Sequence, residues 1–297
     1  MNSKQHHSTY CTTIKSIATI LVLTAYSSLV LADLPHYTIY KSFPTAFYEC
    51  AEYYRVPNCT VRRYIEQSYP PEEEVKKLIR CTLVNLGAWD DESGVHQQVM
   101  RNYFVPRPDD TCYERRTREC LESIVYDDVY SRAYESFKCY LRNYGTLVSD
   151  DKFVPNEQLE LDQLALTSLI ISNLPFDVLV QYCRGNIQDE KHFPDILYVI
   201  MVRGGYYSPQ NGWNLENLYT QLGYDILLDP YTKKCITDVA REKCNADEIT
   251  KFLETWQRCL SSYVPLLRHI QDEAKKLIGA SAKCLCSTAS YNEEIKW

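Results

Sequence analysis

The chain has little glycine and almost no recognisable catalytic apparatus. Nine glycines are spread over 297 residues, and they build no G-x-G-x-x-G turn, no phosphate loop and no G-x-S-x-G elbow. Nucleotide-dependent chemistry and the serine hydrolase arrangement therefore have no motif to rest on. Beyond an N-terminal leader the histidines are His36, His96, His192 and His269, and none falls in an H-x3-H or H-E-x-x-H pattern. No metal, no cofactor and no catalytic residue is expected, so the chain does not read as an enzyme. The acidic clusters Glu72–Glu74, Asp90–Glu92 and Asp272-Glu273 read as solvated helix ends and turns. Sustained alternation of apolar and polar residues is also missing, which argues against a sheet. Positive charge is short as well: beyond the leader, 30 Lys and Arg face 39 Asp and Glu, so no nucleic-acid partner is expected.

What is present begins at the N-terminus. Lys4 and Lys15 precede an uncharged run from Ser16 to Leu31 that ends in Val30-Leu31-Ala32. This pattern predicts a secretory signal over residues 1–32, in preference to a membrane anchor, because the cysteine-rich remainder suits an oxidising compartment. Cys11 leaves with the signal, and 12 of the 13 cysteines remain, six in each half. Tyrosine is abundant, with 25 residues, and its flat ring and hydroxyl suit a lined cavity or a contact surface. Asn58-Cys59-Thr60 is the one glycosylation sequon, and a disulfide at Cys59 would hinder its use.

The halves repeat. Cys112, Cys120 and Cys139 are answered by Cys235, Cys244 and Cys259 at similar spacing. Upstream, Gly87 and Gly94 are seven apart with Trp89 two after the first, and Gly205 and Gly212 are seven apart with Tyr207 in the same place. Two matches in one order, offset by about 120 residues, indicate internal duplication. Both halves have helical periodicity. Val75, Leu78, Ile79, Thr82 and Leu86 form a stripe opened by Pro70-Pro71-Glu72-Glu73-Glu74 and stopped at Gly87. Tyr126 to Tyr144 forms a second stripe, closed by Gly145; Ile196–Val202, Leu215–Leu222 and Ile249–Ile278 are further helices, the last broken near Pro265. The fold class is all-α, in two tandem disulfide-stapled domains. The polar stretch from Val148 to Asn156 is their join, giving domains 33–156 and 157–297.

Several of these features together resemble a known family. Cys81 followed by Leu86-Gly87, the Asp-rich turn before Gly94, Phe137-Lys138-Cys139-Tyr140, Lys152-Phe153-Val154-Pro155, and Arg203 to Gln221 are similar to the long-form D-seven salivary proteins of blood-feeding flies. These are two-domain relatives of insect odorant-binding proteins. The resemblance implies a secreted, monomeric scavenger in saliva that binds host eicosanoids, cysteinyl leukotrienes or thromboxane-like lipids, in the first domain and so blunts haemostasis and inflammation. Its lipid site maps onto Tyr69, Tyr140, Tyr144, Lys152, Phe153 and Val154. In many members the second domain binds biogenic amines. Here only Tyr206, Tyr263, Asp272 and Glu273 offer substitutes, and the adjacent acids face different directions on a helix, so amine binding is expected to be weak or absent. Other readings are a carrier of odorants or fatty acids, and an inhibitor of clotting or complement acting through an acidic, tyrosine-rich surface. No membrane partner is expected.

The family pattern also implies disulfides. Cys50 with Cys81, Cys244 with Cys259, and Cys183 with Cys284 or Cys286 are its choices, leaving Cys235 to take what remains. Lys77 stands where the family's partner of Cys139 would be, and Cys59, Cys112 or Cys120 would replace it. Cys284-Leu285-Cys286 lacks the C-x-x-C spacing of a redox site and reads as part of a structural staple.

Overall fold

Apolar residues at helical spacing decide the architecture, and the helices they form fall around two cores. The computed structural model describes residues 38–125 and 128–279; the signal, Cys284 and Cys286 lie outside the described residues. The first half contains α1 (Phe43–Tyr53), α2 (Asn58–Glu66), α3 (Glu73–Asn85), α4 (Gln97–Met100), α5 (Tyr113–Glu122) and α6 (Val129–Cys139). The second contains α7 (Gln158–Ile171), α8 (Phe176–Cys183), α9 (Phe193–Arg203), α10 (Leu215–Leu222), α11 (Pro230–Glu242), α12 (Glu248–Thr255) and α13 (Leu267–Ile278). The stripe on α3 buries Val75, Leu78, Ile79 and Leu83 between α1 and α6. Helix α13 packs on α7 and α8, and the chain breaks before it at Pro265, where proline removes a backbone donor. One apolar cluster spans Phe43 to Tyr144 and another spans Phe153 to Ala274.

The strands are short ribbons: β1 (Ile39–Lys41) with β6 (Lys152–Val154), β2 (Trp89–Asp90) with β3 (Gly94–Val95), β4 (Phe104–Val105) with β5 (Thr146–Leu147), and β7 (Tyr207–Ser208) with β8 (Gly212–Trp213). Two of them repeat at the spacing seen in the sequence. Asp90 pairs with Gly94 in one and Ser208 with Gly212 in the other, each residue displaced by 118 positions. The flanking bonds repeat at the same displacement. Ala88 donates its N–H to Leu83 and Tyr206 to Met201, while His96 donates to Ala88 and Asn214 to Tyr206.

The repeated units face each other across a local two-fold seam. Arg101 Nη1 donates to the Tyr219 hydroxyl at 2.9 Å, and Asn102 Nδ2 donates to Thr220 Oγ1 at 2.8 Å; both pairs are 118 residues apart. Each residue thus meets its own duplicate, as happens near the axis of an isologous contact. Two repeated glycines are also closely covered. A Cβ on Gly87 (φ +65°) would lie 2.8 Å from Pro155 Cγ, and a Cβ on Gly205 (φ +74°) would lie 2.7 Å from the Thr38 side chain. Glycine at these positions permits both the left-handed backbone and the close approach of the join beside Gly87 and of the N-terminal segment beside Gly205.

The disulfides correct two expectations. Cys50 bonds Cys81, Cys120 bonds Cys139, and Cys235 bonds Cys259. Cys244 is not bonded to Cys259; it is an exposed free thiol. The reason is positional: Cys235 lies inside α11, half-buried against the second core, whereas Cys244 follows the C-cap residue Lys243. The correct match in the duplication is therefore Cys120 with Cys235, and Cys120, one of the three cysteines expected to stand in for a partner at Lys77, is the one that bonds Cys139. Cys183 is disulfide-bonded as well, and its partner lies outside the described residues. Cys59 and Cys112 are exposed and free, so no bond among the described residues restricts the Asn58 sequon.

A charged cluster anchors the β2–β3 turn. Arg80 Nε donates to Asp91 Oδ1 at 2.9 Å and the Trp89 indole donates to the same oxygen at 2.8 Å. The Arg80 guanidinium, helped by the Trp89 N–H, holds the Asp91 carboxyl down to about 2. A depressed carboxylate value means stabilisation that is present above the ordinary value near 3.8 and is lost as pH falls through about 2. Asp91→Asn is expected to lower the urea midpoint at neutral pH, with the difference from the parent protein closing between pH 4 and pH 2 in parallel denaturation curves.

Candidate functional site

Tyr69 and Tyr144, two of the tyrosines expected to contact ligand, line one cavity of about 480 Å³ in the first half. Its apolar wall also includes Ile65, Leu141 and Leu147. Tyr69 enters from a left-handed residue (φ 58°) after α2 and packs edge-on against Phe43, Phe47 and Phe137. That cluster fixes the ring. Beyond α6 the chain makes a π-helical turn over Tyr140–Tyr144, a wide turn that recurs at functional sites, and it brings Leu141, Arg142 and Tyr144 to the cavity.

Three guanidinium groups, from Arg107, Arg116 and Arg142, share the lining with one carboxylate, Asp110. Arg116 is tied to Asp110 through both terminal nitrogens, with Nη1 at 3.0 Å, and to the Asn143 carbonyl at 3.2 Å. Arg142 lies 3.8 Å from Glu135. Arg107 is exposed, and it helps Arg116 hold the Asp110 carboxyl below the usual range, with the Arg116 bond the main favourable contribution. Burial pushes the Tyr69 and Tyr144 phenols up to about 12, so both hydroxyls stay protonated and able to donate. The arrangement is an apolar and aromatic wall with an excess of positive charge, which favours a carboxylate on a hydrophobic body.

Other expected residues lie elsewhere. Tyr140 is buried beside Phe104 and Tyr144 and lines a second, more polar cavity shared with the second half. Lys152, Phe153 and Val154 form β6, where pairing with Lys41, Tyr40 and Ile39 fixes their directions. The two-residue period of a strand separates them: Phe153 packs on Tyr206 in the second core, while Val154 packs on the first. Lys152 Nζ is 3.7 Å from Asp150. None of the three lines the cavity around Tyr69.

The four second-half residues are engaged separately. The Tyr206 hydroxyl accepts from Asn156 and donates to Gln221, and its ring borders an apolar cavity of only about 70 Å³. Tyr263 lies against Tyr224. Asp272 pairs with Lys275 and Arg268, whereas Glu273 is buried and pairs with Lys276. The arginines of the first-half cavity carried no sequence signal beyond their charge, because they come from a loop, a helix and a π-helical turn.

These features define a helical, disulfide-stapled protein with a cavity suited to a small amphipathic ligand. Residues 37–143 match the PBP/GOBP family. General odorant-binding protein 69 of Anopheles gambiae is 30% identical over 161 residues, which cover 49% of this chain and 69% of that relative. The chain belongs to the PBP/GOBP family of odorant-binding proteins. No solved structure matches it. Among the described residues no helix is long and apolar enough to cross a membrane, and no cluster of metal-ligating side chains occurs.

Proposed function

We propose that the protein is a secreted, non-enzymatic binder of anionic lipids of the eicosanoid class, held in the cavity between Tyr69 and Tyr144. In this reading residues 1–32 are the signal, 33–156 the lipid-binding domain and 157–297 its duplicated partner. The long-form D-seven salivary proteins are the subtype it resembles. The observation that carries the proposal is the set of Arg107, Arg116 and Arg142 beside an apolar wall. A lipid burying ten methylenes gains about 8 kcal/mol before binding costs, enough for roughly micromolar affinity. Its carboxylate meets guanidinium groups suited to planar, two-point contact, and the tyrosine hydroxyls donate to its oxygens.

Titration calorimetry of the oxidised protein with a leukotriene, a stable thromboxane analogue and their methyl esters tests this. The free acids are expected to bind with micromolar or better affinity and the esters about tenfold more weakly, because esterification removes the charge. Arg107→Ala, at an exposed residue outside the core, is expected to reproduce the loss seen with the esters. Absence of heat with every eicosanoid would overturn the proposal. An amine site built from Tyr206, Tyr263, Asp272 and Glu273 has no comparable support, since both carboxylates already have cationic partners.

A further inference from the structure

We infer that the seam between the duplicated halves holds a second ligand site, and that its ligand is a zwitterionic aromatic amino acid. The site is a cavity of about 250 Å³ where α4 and α5 of the first half meet the end of α10 and Asp225 of the second. It therefore exists only in the joined protein. Its volume falls below the roughly 300–1,000 Å³ of sites for drug-sized molecules, and no aliphatic side chain lines it. A lipid tail finds no partner there.

The charges decide the ligand. Arg101 and Arg118 supply two cations to the lining, and Glu114 and Asp225 supply two anions. Among the described residues none of these four has an ion-pair partner within 4.0 Å. This holds even for Glu114 and Arg118, which stand four apart on α5, a spacing at which such pairs commonly form. A ligand with one charge would leave the opposite set unmatched; an amino acid satisfies both, its carboxylate on guanidinium and its ammonium on carboxylate.

The tyrosines select an aromatic side chain. Tyr140 and Tyr144 have ring centroids 5.3 Å apart, and Tyr219 shares the lining, under the Arg101 guanidinium at 4.6 Å. Arg101 is oriented by its bond to the Tyr219 hydroxyl, so one residue of each half prepares the carboxylate end. Burial pushes the Tyr140 and Tyr144 phenols well up, which keeps them neutral hydrogen-bond donors.

Calorimetry of the full chain with L-tryptophan, tryptamine and indole-3-propionate tests the site. Tryptophan is expected to bind at one site, with tryptamine and the acid each weaker by about tenfold or more, since each lacks one charge-assisted contact. Asp225→Asn, at an exposed turn residue, is expected to bring tryptophan down to the level of the acid. Arg101→Gln is expected to bring it down to that of the amine, with near-ultraviolet dichroism confirming that the seam stays folded. Tryptamine binding as tightly as tryptophan, or no heat with tryptophan, would overturn the inference. Tyr144 lines both cavities, but Arg107 lines only the lipid cavity, so Arg107→Ala is expected to weaken lipid binding alone and leave tryptophan affinity unchanged, which separates failure of this site from failure of the lipid proposal.

Discussion

Serine at both Cys50 and Cys81 is expected to lower the free energy of unfolding by about 3–4 kcal/mol. The bond joins α1 to α3 across 31 residues, and the loss of loop-closure entropy in the unfolded chain gives this figure for a loop of that length. Both cysteines adjoin the first core, Cys50 fully buried within it and Cys81 packed against it, so replacing both avoids leaving an unpaired thiol at the core. Urea denaturation measures the change as a lower midpoint with a steeper slope, because the unfolded chain without the cross-link is less compact and exposes more surface. Unchanged stability would show that α1 and α3 are held by side-chain packing alone.

Phe137→Ala is expected to cost about 3–5 kcal/mol, the usual range for deleting a buried aromatic side chain. Phe137 is fully buried, stacks on Phe43 at 5.1 Å and meets Tyr69 edge-on at 5.1 Å. Its loss leaves a void behind the ring that forms the ligand wall. The melting temperature should fall by roughly 10 °C, and lipid affinity should fall with it because Tyr69 loses its backing. Phe137→Leu fills much of the void and is expected to recover part of both. A variant that melts normally would mean that the cluster around Tyr69 is not part of the cooperative core.

The helices were legible because apolar spacing and chain punctuation act locally. Leu215–Leu222 starts after Asn214, whose side chain caps Asn217, and ends at Gly223 in the left-handed conformation. The duplication was legible for a similar reason: Gly87 and Gly205 both need conformations that suit glycine, so their spacing survived in the sequence. The choice between Cys235 and Cys244 depends instead on a tertiary fact: Cys235, inside α11, meets Cys259 in a second π-helical turn at Trp256–Leu260, whereas Cys244 lies past the end of α11. Lys152, Phe153 and Val154 look like one contact in the sequence because they are consecutive, but the strand they form sends neighbours to opposite sides and away from the cavity around Tyr69. The cavity arginines were invisible for want of any local pattern, since Arg107, Arg116 and Arg142 meet only after α5 and the π-helical turn have packed.

Pro155, in the join, covers Gly87 of the first repeat, and Thr38, in the first repeat, covers Gly205 of the second; this sets an order of events during synthesis. The first repeat emerges from the ribosome with Gly87 bare, and it stays incomplete until the chain has been made beyond Pro155. The second repeat waits for a residue made long before it: Thr38 donates to the Arg203 carbonyl across 165 positions, a long-range closure of the kind that slows folding. The repeats therefore mature as a couple rather than one after the other. A single protease cut between Val148 and Asp151 should leave two fragments that remain bound to each other under native conditions and part only in denaturant.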